Sequence, residues 1–315
     1  MSQLKSLFAA GMLLTAGVAI AEPVAPQLVG FTKPAKPSLE NSTHALDKIR
    51  AGEGRQFVLE MDGYVPPTNW LPQILGGKAR ITAQLDADGY VINSRVKAAG
   101  IVDWFVDYSS TLSSKGDITE DGLKPREYVA SDDEGRKNRR TRIVHHDDSV
   151  DVDVVPAHGN LGDPAATMEQ KLEAMDPMSA LLHLAVNPMA TPENPCQGVM
   201  RVFDGKGRYN LHLNFGEYVQ NYDQKGWRGP AFICYVTYEE LAGYKKKTPK
   251  ELKEQKRDVR WVRIVLADLG EDEIRVPVAI EARSRKRGKI SVIARSLSYG
   301  PLAEDHAMST TGADA

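Results

Sequence analysis

A mainly β fold, a curled antiparallel sheet with one apolar helix in its concave face, follows from three features of this 315-residue chain. Apolar residues between positions 55 and 297 recur mostly with period two, the pattern of strands with one buried face. Turn residues recur at short intervals, as in Asp86-Ala87-Asp88-Gly89, Asp132-Asp133-Glu134-Gly135 and Asp204-Gly205-Lys206-Gly207, which suits a meander of neighbouring strands. One segment alone, 168–186, is convincingly helical, and it is apolar nearly all round from 178 to 186. Such a helix needs burial on most sides, and the inside of a curled sheet provides it.

The N-terminus carries a basic residue, Lys5, an apolar run over 7–20 and the triplet Ala19-Ile20-Ala21 before Glu22. That is a secretory signal with cleavage expected after Ala21, and its apolar run is short for a membrane span. No cysteine follows the cleavage site, so a lipoprotein signal is not expected. No second long apolar run occurs, so the mature chain is expected to lack a transmembrane segment and to be exported. The organisation read from the sequence is a signal peptide at 1–21, a Pro-rich arm at 22–54, one β-rich domain at 55–300 and a disordered tail at 301–315.

Export gives meaning to the two cysteines, Cys196 and Cys234. An oxidising compartment favours pairing them, and the alternative is two free thiols. A bridge would close a loop of about 39 residues, worth roughly 3.9 kcal/mol in the chain-entropy model. Formal charge is -2, one unit more negative once Lys5 leaves with the signal. That balance does not suit a nucleic-acid partner.

In chain order, Phe57, Leu59 and Met61 mark the first strand. The stretch 64–77, with Pro66, Pro67 and Pro72, reads as a loop. A hairpin follows over 78–98, and the most aromatic window, 100–108, leads into a polar strand ending at Gly116. Residues 117–123 read as a turn, 124–129 as a strand, and 136–145 with 149–155 as a hairpin about His146-Asp147-Asp148. The helical segment begins after Thr167, whose Gln170 three positions on matches a capping box. Asp176-Pro177 breaks the helix by capping a second one, and Asn187-Pro188 stops it. Strands are then expected at 199–203, 208–215, 230–238, 261–267, 273–282 and 289–297, with a short solvated helix within 239–257.

Taken in order, GIVDWFVDYSSTLSSKG (100–116), GLKPREY (122–128), DPMSALLHLAV (176–186), PCQGVMRVFDGKGRYNLHL (195–213) and VPVAIEARSRKRGKISVIA (276–294) resemble the bacterial domain-of-unknown-function family 3108. The similarity covers roughly 55–297. It implies a periplasmic protein of Gram-negative bacteria with a curled sheet or half-barrel. More distantly, it implies likeness to the β-spiral envelope-integrity proteins and the lipoprotein-carrier half-barrels. The family brings no catalytic residues. The stretch VPPTNWLPQI and the Lys-rich segment at 245–257 depart from its pattern.

No catalytic constellation emerges. His145-His146-Asp147-Asp148 has metal-ligand chemistry, but adjacent strand residues point to opposite faces, so it reads as a polar turn. His158, His183 and His212 are isolated, and Gly205-Lys206-Gly207 lacks the spacing of a phosphate loop. No cofactor and no metal site is expected, and the chain reads as a non-enzyme. Two surfaces stand out. Trp104, Phe105, Tyr108, Met178, Leu181, Leu182, Phe203, Tyr209, Phe232 and Tyr235 are candidates either for a lipid-type pocket between sheet and helix or for core around a helical plug. Arg136, Lys137, Arg139, Arg140 and Arg142 form a basic run, read either as a surface for anionic envelope components or as a solvated strand edge. The function expected is an exported envelope protein that binds a hydrophobic ligand, a lipoprotein, or a cell-wall or outer-membrane partner. The alternatives are a structural scaffold without ligand and an envelope-polymer hydrolase.

Overall fold

Period-two patterning produces strands whose buried residues point to one side, as in β3, where Tyr90, Ile92, Val96 and Ala98 are buried while Asn93, Arg95 and Lys97 are exposed. The computed structural model describes residues 45–68, 71–100, 108–133, 138–188, 190–191, 194–270 and 273–302, with side chains for all of these but 133 and 253–257. The strands are β1 (Arg55–Val65), β2 (Ile74–Asp86), β3 (Gly89–Ala98), β4 (Ser109–Thr119), β5 (Gly122–Asp133), β6 (Asn138–His145), β7 (Val150–Val155), β8 (Val199–Phe203), β9 (Arg208–Gln224), β10 (Trp227–Ala242), β11 (Val259–Asp268), β12 (Arg275–Ser284) and β13 (Gly288–Pro301). The helices are α1 (Ala45–Arg50), α2 (Met168–Leu172), α3 (Pro177–Val186) and α4 (Pro249–Asp258).

Among the described residues thirteen strands form one sheet in the order β7-β6-β5-β4-β3-β2-β1-β13-β12-β11-β10-β9-β8, and every named pairing is antiparallel. The chain meanders outward from β1 to β7, crosses over through α2 and α3, and meanders back from β8 until β13 pairs with β1. Bulges interrupt the register of five pairs, at Glu60/Met61, Gly63/Tyr64, Lys115/Gly116, at three places in β9–β10 and two in β11–β12. Bulges bend and twist strands, and they curl this sheet.

The curl stops short of strand-paired closure, since β7 and β8 remain edges. The crossover segment spans the gap between them. Val150 N–H of β7 donates to Met168 Sδ at 3.3 Å. On the other side Met175 bridges Val202 in parallel, its N–H donating to Arg201 O and its carbonyl accepting from Phe203 N–H, each at 2.9 Å. Arg208, 2 % exposed, donates through Nε to Gln170 O at 3.0 Å.

Several expectations are corrected. Residues 74–77 are strand rather than loop, because Ile74 and Leu75 pair with Val65 and Tyr64 across a bulge. The region 117–123 is mostly strand, with Ile118 opposite Leu123 and only Glu120 and Asp121 at the turn. Strands β9 and β10 run on to Gln224 and from Trp227, and their hairpin folds back over the sheet. A Cβ on Gly226 would lie 2.5 Å from Ala294 C and O, so glycine alone allows that approach. The expected arm contributes to the folded body, since Ala45, Leu46 and Ile49 of α1 are buried against the core. The expected signal peptide and nearly all of the expected tail lie outside the described residues.

Candidate functional site

The helix identified from sequence is broken over a longer stretch than a single Asp-Pro step. Helix α2 carries the capping box at Thr167 and Gln170 and buries nothing, whereas α3 buries eight of its ten residues. Between them Asp176 caps α3 through Oδ1, which accepts from Met178 N–H at 2.9 Å and Ser179 N–H at 3.0 Å. Met178, Leu182, Ala185 and Val186 join one part of the core, which holds the inward residues of β1–β7 and part of β8 and β10–β13, and Ala180 and Leu184 join the other with β8–β12. Leu181 packs against both. The concavity is therefore occupied by this helix, which touches β3, β4, β5, β8 and β12.

A polar cluster fastens its N-terminus. Asp176 Oδ2 accepts from Ser114 Oγ at 2.8 Å and from Ser179 Oγ at 2.5 Å, and Ser179 Oγ meets Tyr90 Oη at 2.7 Å. Asp176 and Ser179 are both 0 % exposed and Ser114 is 1 % exposed. Burial raises the Asp176 carboxyl above its usual range, against the pull of the hydrogen bonds from Ser179, Ser114 and Met178. Burial, with Asp176 second, pushes the Tyr90 phenol up. Gly116 makes room for that phenol: a Cβ there would lie 2.7 Å from Tyr90 Oη and 2.2 Å from Lys124 O. The cluster contains hydroxyls and a carboxylate, all of them buried, and its hydrogen bonds fasten the start of α3 to β3 and β4. Its chemistry is that of a buried anchor.

The aromatic candidates do not converge on one space. Trp104 and Phe105 lie outside the described residues. Tyr108, Met178, Leu182, Phe203, Tyr209 and Phe232 are all at most 5 % exposed. Tyr209 packs on Tyr238 with ring centroids 5.0 Å apart, whereas Phe232 packs on Tyr218 at 5.0 Å and beneath Arg275 at 5.5 Å. Tyr235 is a correction: it is 40 % exposed because its neighbour Cys234 points inward and alternation sends the ring out. Cys196 and Cys234 form a disulfide with Cα atoms 5.6 Å apart, joining the exit of α3 to β10.

The basic run does not form one patch. Arg136 and Lys137 lie outside the described residues. Arg140 and Arg142 are exposed, Arg139 is half-buried, and the intervening Thr141 and Ile143 are buried. Arg142 Nη2 sits 2.7 Å from Glu127 Oε1, and Lys115 Nζ takes the other oxygen at 3.0 Å. The histidine-rich turn is a hairpin closed by His146 N–H donating to Ser149 O at 2.9 Å. Asp147 is held low by Lys124 and Arg126, and burial lowers His145 to about 4. No group of three or more metal-ligating side chains occurs among the described residues. His183 of α3 is also lowered to about 4 by burial, and its Nδ1 has no hydrogen-bond partner among the described residues. Sequence reasoning found Asp176 but missed Tyr90 and Ser114. They are remote in sequence, and the one available signal was a serine at an inward strand position.

Residues 61–293 match the family model described as a protein of unknown function (DUF3108). Among solved structures the chain is similar to one described as a beta-barrel-like protein of domain of unknown function DUF1849 from Brucella abortus. That similarity has a TM-score of 0.46 and 10 % sequence identity, and covers 78 % of this chain and 98 % of that one. No curated protein matches the sequence.

Proposed function

The chain belongs to the DUF3108 family, and we propose that it is an exported, non-enzymatic envelope protein that binds a cell-wall, outer-membrane or protein partner on its outer surface. One observation carries the reading: the concavity, where a half-barrel would hold an apolar ligand, is occupied by α3 with eight buried residues. A plug anchored by Asp176, Ser179, Ser114 and Tyr90 leaves the outer faces of the strands for recognition. Export is supported by the signal-like residues 1–21 and by the Cys196–Cys234 bridge, which an oxidising periplasm sustains. The non-enzymatic reading is supported by the burial of the Asp176, Ser179, Ser114 and Tyr90 cluster, which no substrate reaches from solvent.

The test is native mass spectrometry of the protein purified from the periplasmic fraction of its host. The expected species begins at Glu22, carries the disulfide and has no bound lipid. A stoichiometric lipid adduct would restore the apolar-ligand reading, and an unprocessed chain confined to the cytoplasm would overturn export.

A further inference from the structure

The outer faces of β2–β5 form a groove of about 420 Å3, within the range of small-ligand sites. Thr82, Asn93, Thr111 and Ser113 line it together with the apolar Leu112 and Val129, and Arg80 and Arg95 stand beside them. Register makes the placement unusual. Arg80 stands directly opposite Arg95, and the next outward rung sets Lys78 directly opposite Lys97. Like charges directly opposite on one face repel, so two such rungs work against the pairing of β2 with β3. On the neighbouring strands Lys115 and Arg142 are both matched by Glu127. Arg80 reaches Glu60 at 3.0 Å, but that carboxylate also serves Arg295 at 2.9 Å. Arg95, Lys78 and Lys97 have no ion pair among the described residues.

We propose that this groove binds a phosphorylated saccharide. Arginine forks suit phosphate oxygens, and an anion between Arg80 and Arg95 relieves their repulsion. The hydroxyls of Thr82, Thr111 and Ser113 and the amide of Asn93 donate and accept, as sugar hydroxyls require. No aromatic ring lines the groove, so it offers no stacking platform for nucleobases. The inference rests on the reading that the outer surface is the working one. Its failure would leave the plugged interior untouched, because the two are probed on different faces.

Isothermal titration calorimetry on the full mature chain at low ionic strength tests it, with glucose 1,6-bisphosphate as the probe. Binding is expected to weaken at least tenfold in Arg95→Ser and several-fold in the paired Thr111→Val and Ser113→Val variant. Inorganic phosphate is expected to bind more weakly than the probe, and glucose not at all. Phosphatidylglycerol vesicles are expected not to compete. Equal affinity for inorganic phosphate, binding unchanged by Arg95→Ser, competition by the vesicles, or no heat with the probe would each overturn the proposal. Arg95 is exposed, so Arg95→Ser is expected to fold, and its melting curve verifies that in the same samples.

Discussion

Asp176 and Arg95 are both charged side chains borne by the same sheet-and-helix unit, yet their surroundings are opposite. The carboxylate, 0 % exposed, accepts from two backbone amides and two serine hydroxyls. The guanidinium stands outside, on a residue directly opposite Arg80 in the ladder, and has no ion pair among the described residues. Inside, where an unpaired polar group costs most, the anchoring carboxylate is fully answered, which marks a structural part. Outside, where water tolerates an unmatched cation, the repulsion left standing marks a place for something that is not part of the chain.

The sharpest way to break that contrast is Asp176→Ala. It removes a helix cap and leaves two amides and two hydroxyls buried without their acceptor, so a loss on the order of 5 kcal/mol is expected in urea denaturation. A loss near 1 kcal/mol, the scale of a cap alone, would show that the interior cluster is far looser than its hydrogen bonds indicate. Replacing Cys196 and Cys234 by serine is expected to cost about 4 kcal/mol in the chain-entropy model. Hydrogen exchange should then accelerate in α3 while β2–β5 stay protected. Uniform acceleration would mean that the bridge holds the whole sheet rather than the exit of the plug.

The imidazole of His183 supplies a pH-dependent version of the same contrast. Its folded value of about 4 lies below the ordinary 6.5, so the neutral form is favoured in the fold. The stability it supports is complete above 6.5 and is lost as pH falls through that value toward 4, with a ceiling on the order of 3 kcal/mol. Asp176 acts in the opposite sense, because its raised carboxyl is relieved by protonation. The difference between the wild type and His183→Gln therefore isolates the histidine. Stability that declines equally in both over that window would remove His183 from the account. The smallest effect belongs outside: Arg95→Ser is expected to raise stability by a few tenths of a kcal/mol, with the gain shrinking at high salt. A loss instead would show that the guanidinium serves the fold.

Much of the first meander was legible because hairpin partners are neighbours in sequence. Asp86 to Gly89 and His146 to Ser149 are turns between strands whose alternation is plain. The outer halves of β9 and β10 were not legible, because residues 214–222 are mostly exposed and their larger side chains, Phe215, Tyr218, Val219 and Tyr222, follow a helix-like spacing rather than the period of two. The rungs Arg80–Arg95 and Lys78–Lys97 were invisible for another reason. Each residue alone is an ordinary exposed base on a strand, and register alone sets them face to face.

Local patterning by itself determined the β-rich class, the breaking of the crossover helix at Asp176-Pro177, the burial of α3 and the choice of Cys196 and Cys234 as the one intramolecular pairing. These depend on periodicity, capping chemistry and cysteine count, which act over a few residues or none. Only the tertiary structure decided that β13 returns to β1, that the crossover segment spans the gap between β7 and β8, and that Tyr90 and Ser114 meet Asp176 and Ser179. Long-range pairings are selected by burial and hydrogen-bond satisfaction over the whole sheet, and no local window of the chain carries that sum.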